Sequence, residues 1–138
     1  MSFEVVPFEE WGGHELVPYV DGVSLLDLVS AYEQKSRFDV PGAYAGLKVE
    51  SFKAGELADY LLGKPRYSFG DNPGAVALLG CDCGDTGCWP LLAQVLAEDG
   101  VVTWSDFAQP HRPKRDYTRF GPFNFNADHY TQTVRTLP

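Results

Sequence analysis

"VALLGCDCGDTGCWPLLAQVLAEDGVVTWSDFAQ", residues 76 to 109, decides the fold of this chain. It holds two turn signals, Gly84-Asp85-Thr86-Gly87 and Asp99-Gly100, each set between runs of β-branched, leucine and aromatic residues. Asp-Gly is among the strongest short hairpin signals, because both residues accept the left-handed backbone that a two-residue loop demands. Two hairpins in succession predict a three-stranded antiparallel meander over about 76–108.

The turns also predict a register. A loop at Asp99-Gly100 pairs Glu98 with Val101, and a loop within 84–87 pairs Cys83 with Cys88. Side chains alternate along a strand, so one face gathers Val76, Leu78, Trp89, Leu91, Ala93, Val95, Val102 and Trp104 and is the expected core. The other face gathers Leu79, Cys81, Cys83, Cys88, Pro90, Leu92 and Phe107. All three cysteines then point one way, and continuing the second ladder sets His111 across from Cys88.

Cys81, Cys83, Cys88 and His111 make a Cys₃His set, one of the donor combinations that hold zinc in a tetrahedron. Cross-strand β-carbons lie ~5 Å apart, close enough for Cys83 and Cys88 to share an ion. Cys81 needs the chain to bend at Asp82-Cys83-Gly84, because C-x-C is not the usual C-x₂-C spacing. Zn²⁺ is the expected cofactor, with inert reduced thiols and a redox or disulfide role as the other readings.

The bounds agree with a small domain. At 138 residues and 44% apolar, the chain fits one domain over 1–138 with a core of its own. An odd cysteine count suits reduced thiols or a metal in the cytoplasm better than a secreted disulfide framework. No secretory signal is read at the start, and apolar runs such as 75–79 fall far short of the ~20 residues of a membrane span. A net charge of −8 argues against nucleic acid as a partner. Residues 1–75 carry twelve acids and six bases, whereas Arg112, Lys114, Arg115 and Arg119 crowd one short stretch. That basic stretch reads as a solvated loop beside Pro113 or, more sharply, as a contact for an anion or an acidic partner.

Around the meander, 3–8 and 15–20 read as a strand pair, each with a proline that suits a sheet edge. After the turn Asp21-Gly22, Ser24 and Asp27 resemble a capping box opening a helix over about 24–34, with Leu25, Leu28, Val29 and Tyr32 as its apolar stripe. Residues 35–52 read as a loop with one short element. A helix over about 54–62 stops at Gly63, and 64–74 is turn chemistry. A strand near 122–125 leads to Asn126 as N-cap of a helix over 127–137, whose Ala127, Tyr130, Val134 and Leu137 share a face. His129 is expected on the surface without a role. The fold class is α+β, an antiparallel sheet centred on the meander with about three helices.

GCDCGDTGCWPLLA, VTWSDFAQPHRP and FGPFNFNADHY together resemble an uncharacterised family of small bacterial proteins with a cysteine hairpin, a Trp-Ser-Asp-Phe strand, a Gln-Pro-His-Arg segment and a Gly-Pro-Phe-x-Phe tail. The resemblance covers about 74–132 and implies a single bacterial domain, with no activity attached.

No phosphate-binding loop of the G-x-x-x-x-G-K-S/T type and no G-x-S-x-G elbow is present. The carboxylates of Glu9-Glu10-Trp11 read as a solvated edge rather than an acid/base pair. The function expected is a non-catalytic cytoplasmic binding domain with a structural zinc site and a protein partner. The alternatives are a thiol- or zinc-dependent enzyme using Cys81, Cys83 and Cys88, and an acidic immunity-like inhibitor of a basic protein.

Overall fold

The computed structural model describes residues 1–8, 12–64, 74–83 and 88–138. The Glu9-Glu10-Trp11 carboxylates, the turn-rich stretch over 65–73 and the Gly-Asp-Thr-Gly turn at 84–87 lie outside the described residues. The architecture is α+β, and the described residues form two antiparallel sheets and three α-helices. None of the helices is long and apolar enough to cross a membrane.

The first sheet grows from the expected strand pair, β1 (Ser2–Phe8) and β2 (Gly13–Val20), aligned from Ser2 opposite Tyr19 to Phe8 opposite Gly13. Asp21 and Gly22, with φ of 50° and 81°, turn the chain into β3 (Val23–Ser24). β1 is an edge, but β2 has neighbours on both sides, with β3 beside Tyr19 and Val20 and β5 (Leu47–Lys48) beside Glu15 and Leu16. Pro18 is accommodated because it falls in the gap between β3 and β5, where no ladder on that side requires an N–H.

The second sheet has the order β4 (Tyr44–Ala45), β6 (Ala75–Cys81), β7 (Leu91–Glu98), β8 (Val101–Ala108), β9 (Phe123–Asn126). Its middle three strands are the meander. Gly46 alone separates β4 from β5, so it carries the chain from the second sheet to the first. A Cβ there would sit 2.5 Å from the Leu16 carbonyl oxygen, which excludes every residue but glycine. Residues 35–52 therefore hold more than the single element expected: β4, β5 and a 3₁₀ turn at Val49–Ser51.

The register follows the turns at one end of the meander and departs from them at the other. Asp99 and Gly100 have φ of 52° and 76°, and Glu98 faces Val101, with the ladder regular as far as Gln94 and Ser105. The next pair is Leu92 with Ala108, because a bulge gives β8 one extra residue, and Asp106 there has φ of 52°. In the first hairpin Val76 faces Ala93 rather than Val95, and the register shifts again between Ala77 and Leu79. The cause is the connection, which is longer than its turn residues suggest. β6 ends at Cys81 and β7 begins only at Leu91, after Pro90, which has no N–H for a ladder.

A slip of two residues preserves the faces, so Val76, Leu78, Leu91, Ala93, Val95, Val102 and Trp104 are all buried as expected. Cys81 and Pro90, expected on the face away from the core, are also buried, and three further placements differ. Trp89 precedes β7 and is only half-buried. Leu79 is buried because β6 is covered along its whole length, and Phe107 joins the core rings of Phe120 and Phe123 beyond the Asp106 bulge.

The helices match their signals. α1 (Leu25–Lys35) is capped by the Ser24 hydroxyl, which accepts from the Asp27 N–H at 3.1 Å. α2 (Glu56–Leu61) is shorter than the expected 54–62 and gives way to Gly63, whose φ of 81° suits a helix stop. α3 (Ala127–Arg135) is capped by Asn126, which accepts from the His129 N–H at 3.0 Å. His129 is exposed, and its ring lies 3.2 Å from the Met1 carbonyl. At the centre Trp104, fully buried, donates its indole N–H to the Tyr130 hydroxyl at 3.0 Å, and Tyr130 donates to the Leu61 carbonyl at 2.6 Å. That chain ties β8 to α3 and α2 through satisfied polar tips on large apolar rings.

Candidate functional site

Cys81 is the last residue of β6, and Tyr44 of β4 lies opposite it. The Asp82 N–H donates to the Ala43 carbonyl at 3.3 Å, and the chain then turns. On an extended strand, residues two apart lie ~6.6 Å from each other, too far to share one small ion. Here the turn folds Cys83 back until its own N–H donates to the Cys81 sulfur at 3.4 Å. This is the bend that the C-x-C spacing required.

Cys88 arrives from the far side of the connection, just ahead of Trp89 and Pro90. The three sulfurs all lie within 4.8 Å of one another, a group that could hold a metal ion. No disulfide joins them. Tetrahedral bonds of ~2.3 Å to a zinc ion place sulfurs ~3.8 Å apart, so small side-chain adjustments would bring the three sulfurs onto three of the four positions. Cys81 is buried, while Cys83 and Cys88 are exposed, giving the group one anchored and two accessible donors. Burial pushes the Cys81 thiol up to about 12, with further upward pushes from its contacts with the Cys83 and Cys88 side chains. In the absence of a cation the buried thiol keeps its proton, and a metal ion is the species that would replace it.

The structure does not bring His111 into this group. The ladder that set it across from Cys88 breaks at the Asp106 bulge, and β8 ends at Ala108 before Gln109 and Pro110. His111 lies in the following turn, its backbone N–H donating to the Gln109 side-chain carbonyl at 3.1 Å.

Beside the cysteines lies a buried polar cluster that sequence reading missed. Glu33 of α1 is fully buried and forms an ion pair with Arg115 at 2.7 Å, whose side chain is 7% exposed. The remaining acceptor capacity of Glu33 is used by the Tyr117 hydroxyl at 2.5 Å and the Gly42 N–H at 2.8 Å. Arg115 also donates to the Asp39 and Val40 carbonyls. Tyr44 lies 3.4 Å from the Tyr117 hydroxyl and accepts from buried Gln109 at 3.1 Å, which links the cluster to the strand opposite Cys81. A signal was present: Glu33 follows Val29 by four positions and Leu25 by eight, on the inward stripe of the helix. The solvated-loop reading of 111–119 is therefore corrected at Arg115 and Tyr117, both withdrawn from water by Glu33.

Comparisons with protein-family models, with curated proteins and with solved structures find no match.

Proposed function

We propose that Cys81, Cys83 and Cys88 hold a structural zinc ion that clamps the end of β6 to the approach to β7, within a non-catalytic cytoplasmic binding domain. The observation that carries this is that three sulfurs drawn from both sides of one connection all lie within 4.8 Å of one another. Thiolate-rich sites are characteristically closed and structural, and soft sulfur donors select zinc over magnesium or calcium. A nucleophilic thiol needs a lowered pKa, whereas burial drives that of Cys81 upward, which speaks against thiol catalysis at this residue.

Elemental analysis of the purified protein tests the proposal. One zinc per chain, lost in Cys88→Ser together with a drop in melting temperature, is the expected result. His111→Ala then tests the fourth position. A fall in zinc affinity assigns that position to His111, and an unchanged affinity assigns it to water.

A further inference from the structure

A cavity of about 430 Å³ opens between the segment that follows α1 and the segment that follows β8. Arg37, Phe38 and Asp39 form one wall, and His111 to Arg115 form the other. In a chain of net charge −8, this cavity brings together Arg37, Arg112, Lys114 and Arg115 with, among the described residues, one carboxylate, Asp39. Glu33 neutralises Arg115 from behind. Arg37, Arg112 and Lys114 make no ion pair among the described residues, so three cations without a carboxylate partner there surround the opening.

We infer that this cavity binds a small organic dianion, a phosphate monoester or a dicarboxylate carried on an apolar body, using Arg37, Arg112 and Lys114 for the charge and Phe38 for the body. Guanidinium groups match the paired oxygens of phosphate and carboxylate, and Phe38 supplies an apolar surface next to them. The overall negative charge does not forbid this, because fields from distant carboxylates are screened beyond ~8 Å at physiological salt.

The cavity is held open by fixed parts. The Arg115 guanidinium lies over Phe38 at 5.1 Å and over Trp89 at 5.3 Å, while Arg112 lies over the same indole at 5.0 Å. The Trp89 N–H donates to the Gly42 carbonyl at 3.3 Å. The wall after α1 contains Arg37, Val40 and Ala43 in the left-handed region, with φ of 60°, 53° and 68°. Non-glycine residues accept that backbone only where surrounding contacts impose it. Glu33 at Gly42 and Arg115 at the Asp39 and Val40 carbonyls are those contacts. The buried ion pair thus holds one wall of the cavity in a conformation it would not adopt alone.

Calorimetric titration with phenyl phosphate and with phthalate at physiological ionic strength tests the inference, with benzylammonium as the cationic control. At least one dianion should bind and the control should not, and whichever dianion binds tighter identifies the head group. Losing a charge-assisted hydrogen bond typically weakens binding about tenfold. The Arg112→Gln/Lys114→Gln double variant and, from the opposite wall, Arg37→Gln should each weaken binding about tenfold or more while keeping the native melting temperature. Failure of both dianions to bind, or affinity unchanged in both variants, overturns the inference. None of the cysteines lines the cavity, and repeating the titration on chelator-treated protein separates the result from any zinc held at His111, which does line it.

Discussion

The two ends of the meander follow different rules. At the Asp99-Gly100 end the turn is left-handed at both positions and five successive pairs of β7 and β8 keep one register, from Glu98 with Val101 to Gln94 with Ser105. Alternation there separates a buried face bearing Val95, Val102 and Trp104 from an outer face bearing Leu96 and the hydrogen-bonded Thr103 and Asn124. At the cysteine end, register shifts interrupt both ladders, and the sulfurs, the buried Glu33–Arg115 pair and the cationic cavity lie together. A regular ladder holds same-face residues of one strand ~6.6 Å apart, too far for Cys81 and Cys83 to share one small ion. Irregular backbone is what makes the convergence geometrically available.

The regular end should be the mechanical centre of the fold. Trp104→Ala removes a fully buried ring, its edge-to-face contact with Phe125 and its hydrogen bond to Tyr130. Its expected cost in urea denaturation is about 3–5 kcal/mol, the largest of any single change considered. A cost below about 1 kcal/mol would mean that the stability of the molecule resides at the other end.

The irregular end is expected to depend on charge pairing instead. Arg115→Met leaves Glu33 buried without its cation, and an expected loss of about 3 kcal/mol follows. Adding Glu33→Leu in the same chain should restore at least about 1 kcal/mol, because the stranded charge is then gone. Strict additivity of the two changes would contradict the ion pair as the element that holds the 37–43 wall.

The smallest effect concerns the bulge. Asp106 occupies a left-handed backbone at the point where the β7–β8 register shifts, so Asp106→Gly should raise stability by about 0.5 kcal/mol. A loss of stability at this position would show that the aspartate side chain, rather than the backbone shape, maintains the bulge.

The same contrast explains what was legible in the sequence. Local signals carried the fold: the Asp-Gly turns, the Ser24 and Asn126 caps, the Gly63 stop and the alternation of β7 and β8 all correspond to structure. The three cysteines were legible as a group, although not as ladder partners, because their convergence comes from a turn at Asp82-Cys83 and not from strand pairing. The register that set His111 across from Cys88 fails for a physical reason. Extending a register over ten residues from a turn assumes a regular ladder, and one extra residue at Asp106 cancels the alignment. The Glu33–Arg115 pair joins residues 82 positions apart, and only the helical position of Glu33 pointed inward; nothing local marked Arg115 as its partner.

If the cysteine end is organised around zinc, metal content with metal-dependent unfolding reveals it most directly. Protein purified without added metal should contain one zinc per chain, and a strong chelator should lower its melting temperature, with full recovery on adding zinc back. Protein that carries no zinc as isolated, and whose melting temperature is unmoved by chelator and by added zinc alike, would contradict the account.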